Sequence, residues 1–249
     1  MTQSSGRLVF LIGEGPSDIG DLAREFQYRE GQEGFFQPLL RRLAAPLRLR
    51  FDGRKLASLP KRSPSKRSRL DRSRKPAQAL ALARDLSADV LVYVRDLDRQ
   101  QGTRATPKNR AKQLREMLED LERTFETAKE RDEDLASLPV VVAIPAWMLE
   151  SWVLADLDAV ETAASRTVTR GTFGGRSEDL WGDENDRGSN HPKCVLARLV
   201  EDRISAPFFA EVAQVISFDA LASQCGDSYP RFIEALQAHG LAENQPDDN

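Results

Sequence analysis

The chain has 249 residues, with 36 Lys+Arg against 39 Asp+Glu, 40% hydrophobic residues and two cysteines. That length suits one elaborated domain or two small ones, and no run of about 18 apolar residues offers a membrane span. Cys194 and Cys225 form no CxxC pair, which argues against a disulfide framework or a cysteine zinc site, and MTQSSGRLVFLIGEG lacks the basic and long apolar regions of a secretory signal, so a cytoplasmic protein is expected.

Arg7 to Ile12 (RLVFLI) is a short apolar run that ends in Gly-Glu-Gly-Pro-Ser-Asp. This is how a buried strand enters a turn and then a helix, with Ser17 or Asp18 available as N-cap. Phe35, Phe36, Leu39, Leu40 and Leu43 recur at helical spacing. The charge then becomes lopsided: Arg41 to Lys75 holds 14 Lys/Arg and two Asp/Glu, although the whole chain carries a net charge of only −3. A local excess of this size can bind a polyanion even in an acidic protein.

Within it, residues 58–76 (SLPKRSPSKRSRLDRSRKP) contain eight Lys/Arg, five Ser and three Pro without apolar periodicity, and read as an extended arm. No aromatic is present for base stacking. Lys61, Arg62, Lys66, Arg67, Arg69, Arg72, Arg74 and Lys75 are therefore expected to bind nucleic acid, DNA or RNA, through its phosphates rather than its bases.

Ala77 to Leu86 repeats a helical pattern, and Asp89 to Val94 (DVLVYV) is a second buried strand, followed at once by Arg95-Asp96-Leu97-Asp98. Thr106-Pro107 begins a helix expected to reach about Asp132, with Leu114, Met117, Leu118, Leu121 and Phe125 as its apolar stripe. Pro139 to Ile144 (PVVVAI) is a third strand, and Trp147 to Asp158 a further helix. A Gly-rich, irregular stretch covers 166–190, and helical segments begin near Pro192, Pro207, Asp219 and Tyr229, with His239 and Gly240 at a helix end. Apolar strands alternating with helices specify an α/β fold with a mainly parallel sheet and helices on both faces. It is expected over 1–158, with a C-terminal helical subdomain over 159–249 that suits a substrate clamp or a homodimer interface.

Ligands of such sheets gather beyond the carboxyl ends of the strands. Those ends carry Glu14, Asp96, Asp98 and, near the third strand, Glu150. Asp96 and Asp98 share a face where the strand is extended, and two like charges that close repel unless a cation lies between them. Carboxylate oxygens suit Mg²⁺, Mn²⁺ or Ca²⁺ rather than zinc. Other motifs fail on single positions. Asp18 stands where a dinucleotide fingerprint needs Gly, Asp21 where a Walker A motif needs Lys, and Gln101 and Pro107 where an EF-hand starting at Asp96 needs Gly and Glu. A strand followed by Asp-x-Asp also fits a haloacid-dehalogenase-like phosphatase with Asp96 as nucleophile, which leaves Glu14 without a role.

Apolar strand plus Glu-Gly (LVFLIGEG), then apolar strand plus Asp-x-Asp (VLVYVRDLD), resembles the Toprim fold of topoisomerases, primases and overcoming-lysogenization-defect nucleases. EGPSD, VRDLD, LESWVLAD, HPK and SFDALA with SYPRFIEAL look, more narrowly, like a Toprim-like family of bacterial proteins often associated with phage-defence ATPases. The resemblance spans Leu8 to Leu236, with 81 residues between Glu14 and Asp96 as its departure. It implies an Mg²⁺- or Mn²⁺-dependent nuclease in phage defence or DNA repair. Glu14 would ligate metal or act as general acid/base, and Asp96 and Asp98 would hold the ion against the scissile phosphate. A partner-activated or non-catalytic subunit of an ATPase-containing system is the alternative.

Glu150 could serve a second metal ion, since the expected helix sets it among Trp147, Leu154 and Leu157. Lys193, in the first turn of a helix whose dipole disfavours a cation there, suits a phosphate and could stabilise charge in the transition state.

Overall fold

A computed structural model describes residues 6–23, 32–59, 74–97, 108–168, 175–201 and 204–242. At its centre is a four-stranded sheet with strands β1 Arg7–Gly13, β2 Leu49–Lys55, β3 Val90–Val94 and β4 Val140–Ala143. The order is β2-β1-β3-β4 and every pair is parallel. The mainly parallel α/β class expected from unbroken apolar strands is therefore the class observed.

Successive side chains of a strand point to opposite faces, and the core divides accordingly. Val9, Leu11, Val90, Val92, Val94, Val141 and Ala143 enter one apolar cluster, whereas Phe10, Ile12, Leu91 and Tyr93 enter the other. The second face is covered by α3 (Arg74–Asp85) and α4 (Arg110–Arg131), through residues such as Leu80, Ala83, Leu114, Met117, Leu121 and Phe125. The first is covered by α2 (Phe36–Leu43) and by the helices after β4. Those are α5 (Leu149–Val153), α6 (Leu157–Ala164), α7 (Pro192–Val200), α8 (Ala206–Val215), α9 (Phe218–Gln224) and α10 (Tyr229–Ala238). Phe209, Leu221, Phe232 and Leu236 of these later helices lie in the same cluster as Val9 and Leu11. Among the described residues no helix is long and apolar enough to cross a membrane.

Two expectations need correction. The sequence pattern shows three strands and the sheet has four, because β2 (LRFDGRK) carries the Gly, Asp and basic residues that strands usually lack. An edge strand tolerates them. Asp52 Oδ1 accepts from Gly53 N at 2.6 Å and Arg54 donates to Gly53 O at 2.8 Å, so the side chains of β2 satisfy its own main chain. The helix expected over Trp147–Asp158 is two helices. Asp156 N-caps α6, accepting from the N–H groups of Asp158 and Ala159 at 3.0 and 3.1 Å, which ends the preceding turn. Trp147 lies outside α5 with φ of +68°, a left-handed conformation that is costly for a bulky residue. Glu150 therefore sits in the first turn of a short helix, without Trp147 or Leu157 as helical neighbours.

Trp152 ties α5 to the rest. It is fully buried, its ring centroid lies 5.9 Å from Phe36, 5.6 Å from Tyr229 and 5.5 Å from Phe232, and its Nε1 donates to Ser228 Oγ at 2.8 Å. Trp152→Ala is expected to cost about 3–5 kcal/mol in urea denaturation, and Trp152→Phe distinctly less, because it keeps the ring contacts and loses mainly one hydrogen bond. Equal losses for the two variants would show that packing is not what Trp152 contributes.

Candidate functional site

Parallel strands deliver their carboxyl ends to one rim. Glu14 follows directly on β1 and Asp96 comes two residues after β3, in neighbouring strands whose register pairs Ile12 with Tyr93. Asp96 N donates to Glu14 Oε1 at 3.3 Å, a main-chain bond that joins the two residues across the strand ends. Both are half-buried.

Glu14 is held by a turn that glycine and proline shape. The short helix α1 (Pro16–Ile19) starts at Pro16 with Gly15 as N-cap, so Asp18 is its third residue rather than its cap. From there the carboxylate reaches back, and Asp18 Oδ2 accepts from Glu14 N at 2.6 Å and Gly15 N at 3.0 Å. A Cβ on Gly13 would lie 2.9 Å from Asp18 Cβ and 2.8 Å from Ile19 Cγ2, an approach that requires glycine.

Asp18 is only 4% exposed, and burial is the largest influence on its carboxyl, pushing the pKa up. The two N–H bonds pull it down, but the charges of Glu14 and Glu150 raise it again, and the pKa rises from the ordinary 3.8 to about 7. Glu14, Asp18 and Glu150 therefore share one electrostatic neighbourhood, with Asp96 bonded to Glu14. Sequence pattern alone offers Asp18 only as a helix cap. The signal that could have revealed its role is the Gly-Pro pair, which fixes the helix start and sends the third residue back toward Glu14.

The other expected site residues divide. Asp98 lies outside the described residues, as do Lys61, Arg62, Lys66, Arg67, Arg69 and Arg72. Arg74 opens α3, and Lys75 Nζ donates to Leu56 O at 3.0 Å. Leu56 comes directly after β2, whose last residue, Lys55, stands in register with Gly13, the residue before Glu14. The basic segment is therefore bracketed by described residues that leave from and return to the rim carrying Glu14. Lys193 is exposed in the first turn of α7, after the N-cap His191, and α7 packs against α5, the helix of Glu150. Among the described residues no hydrogen bond or ion pair joins Lys193 to these acids. No group of three His, Cys, Asp or Glu among the described residues has the arrangement to hold a metal ion by itself.

A second polar cluster lies beside α5, and no feature of the sequence announced it. Arg110, the first residue of α4 and 4% exposed, donates to the Glu178 carbonyl and pairs with Asp227 at 2.6 Å and Asp179 at 2.9 Å. Arg176 joins it, reaching both Asp179 and Asp227 at 3.3 Å. Burial opposes the charge of Asp227, but Arg110 and Arg176 outweigh it and hold the carboxyl below its ordinary value. Glu178 is fully buried and its carboxyl is pushed up by burial, although Ser228 Oγ, Ser228 N and Asp227 N all donate to it.

No protein-family model, curated protein or solved structure matches the chain.

Asp18 provides a pH test. Its folded pKa lies above its unfolded value, so the stability it contributes is complete below pH about 4 and is lost as pH rises to about 7. Asp18→Asn stays neutral and is expected to flatten the decline in unfolding free energy across that window. An unchanged slope would assign the decline to other groups.

Proposed function

We propose that the protein is a divalent-metal-dependent nuclease of the Toprim type, hydrolysing phosphodiester bonds of DNA or RNA. The observation that carries this reading is the contact of Asp96 N with the Glu14 carboxylate at the ends of adjacent parallel strands, with Glu14 and Glu150 both adding negative charge around the buried carboxyl of Asp18. Carboxylates gathered against their own repulsion favour a cation, and an all-oxygen donor set fits a hard ion such as Mg²⁺ or Mn²⁺. Glu14, Asp96 and Glu150 would contribute to holding it, but they do not by themselves have the arrangement to do so, and Asp98, which lies outside the described residues, would have to complete the set.

A bound divalent ion supplies neutralisation of phosphate charge and orients the attacking water, and a second ion about 3.5–4 Å away can stabilise the leaving oxygen. The chain's own contributions are separable. Asp18, through the N–H groups of Glu14 and Gly15, fixes the turn that presents Glu14. A carboxylate such as Glu14 can accept the proton of the attacking water. Lys55 and Lys75 supply positive charge at the same rim, where a phosphate backbone would approach.

Incubation of plasmid, single-stranded DNA and total tRNA with Mg²⁺ or Mn²⁺ tests the reading. Cleavage of at least one substrate is expected, and Glu14→Gln and Asp96→Asn are each expected to lower its rate by about 100-fold or more, since metal-assisted charge stabilisation amounts to several kcal/mol. Serine at Lys61, Arg62, Lys66 and Arg67 should weaken binding across all sequences and flatten the salt dependence by roughly 0.7–0.9 in log–log slope for each phosphate that the chain no longer neutralises. No cleavage under any condition, together with no divalent-metal binding by calorimetry, overturns the proposal. The phage-defence setting and an ATPase partner belong to the same proposal, and affinity capture of the chain with its co-purifying proteins tests them.

A further inference from the structure

The sheet ends at β4, and the outer edge of that strand is open. Leu91 N donates to Pro139 O at 2.9 Å and Arg95 N to Ala143 O at 3.0 Å, so in the parallel register Pro139, Val141 and Ala143 turn their main chain toward β3. Val140 and Val142 turn their N–H and C=O groups the other way, where no strand among the described residues pairs with them. A cavity of about 420 Å³ lies along this edge. Val140 and Val142 line it at the sheet, Phe125 and Glu122 from α4 on one side, and Arg231 of α10 and its C-cap His239 on the other.

We infer that this groove docks an extended peptide segment of a partner protein. The segment adds to β4 as a further strand, presenting a basic residue to α4 and, at the next position, an acidic residue to α10. This role is independent of the nuclease reading. An edge that offers N–H and C=O groups in alternation is matched by a peptide main chain, whose own groups repeat at the same spacing. Successive side chains of an added strand point to opposite faces, so one set meets α4 and the other α10.

Charge then selects the side chains. On the α4 side Lys129 pairs with Glu126 at 3.6 Å, which leaves the charge of Glu122 facing the cavity. Burial pushes the Glu122 carboxyl up, Arg231 counters that shift, and Glu119 and Glu126 add to it, so a further cation beside Glu122 is favourable. No ion pair closes between Glu122 and Arg231 among the described residues, and Arg231 can take a carboxylate from the other face of the added strand. A second copy of the chain is the poorer occupant. Antiparallel pairing of two β4 edges about a twofold axis puts both α4 helices on one face, where Glu122 would meet the acids of its counterpart.

Panning a display library of random octapeptides against the full chain, and in parallel against Val142→Pro, tests the inference. Val142 N does not donate to β3, so proline removes only an outward donor from an edge strand, where it is tolerated. Peptides are expected on the parent and not on Val142→Pro, with a Lys or Arg next to an Asp or Glu among apolar residues. A synthetic copy should bind about tenfold more weakly when its two charged residues exchange places, and the double variant Glu122→Lys, Arg231→Glu should recover the exchanged peptide. N-methylation of the peptide's alternate amides should abolish binding in one register, which reads main-chain pairing even if Val142→Pro fails to fold. No peptide recovered on the parent, equal recovery on folded Val142→Pro, or affinity indifferent to the exchange or to N-methylation overturns the inference. A parent that is a dimer by light scattering, and a monomer as Val142→Pro, also overturns it by making the second copy the occupant.

Discussion

Parallel strands leave a sheet no choice about where its polar loops gather. All four carboxyl ends emerge on one rim, so Glu14 after β1, Asp96 after β3 and the loop to Glu150 after β4 are brought to one side by topology before any side chain makes a contact. The same constraint carries the exit of β2 there, and Lys75 binds back to it through Leu56. Acids and bases that are far apart in sequence become neighbours because the buried alternation of Val9, Leu11, Val90 and Val92 fixes the register that aligns them.

Two acidic clusters in this chain then behave in opposite ways. Asp227 is half-buried and Asp179 exposed, and both carboxyls lie below their ordinary value because Arg110 and Arg176 supply charge-assisted hydrogen bonds. Asp18 also accepts two main-chain bonds, and its carboxyl nonetheless rises, chiefly because it is buried and further because Glu14 and Glu150 add negative charge beside it. One cluster is internally neutralised and reads as structural. In the other, a buried carboxyl lies among like charges at a rim where parallel α/β sheets bind ligands.

Much of this was legible because it depends on local pattern. The apolar runs at 7–12, 89–94 and 139–144 can only be buried strands, and once they alternate with amphipathic helices the parallel sheet and the meeting of Glu14 with Asp96 follow. β2 is hard to see in the sequence because an edge strand need not be apolar, and its cations draw attention as charge rather than as strand. The break between α5 and α6 is hidden because Leu154 and Leu157 keep a helical spacing across it, while Asp156 decides the matter through a cap. Glu178 and Arg110 lie beyond reach for another reason. They are joined over 68 positions of sequence, and nothing local distinguishes a buried Glu in a polar loop from an exposed one.

The two brackets of the site are also built differently. Glu14 is held by its own neighbours in sequence, through Asp18 and a glycine-tight turn, whereas Glu150 depends on tertiary bonds from Trp147 and Trp152 to residues on distant segments. Local turns form early and survive loosening elsewhere, but tertiary braces exist only in the completed fold. The Glu14 half is accordingly formed by the sheet itself, and the Glu150 half only when α10 and the 175–179 segment have docked. On the proposed nuclease reading, Glu14 and Glu150 would therefore act together only in the wholly folded chain.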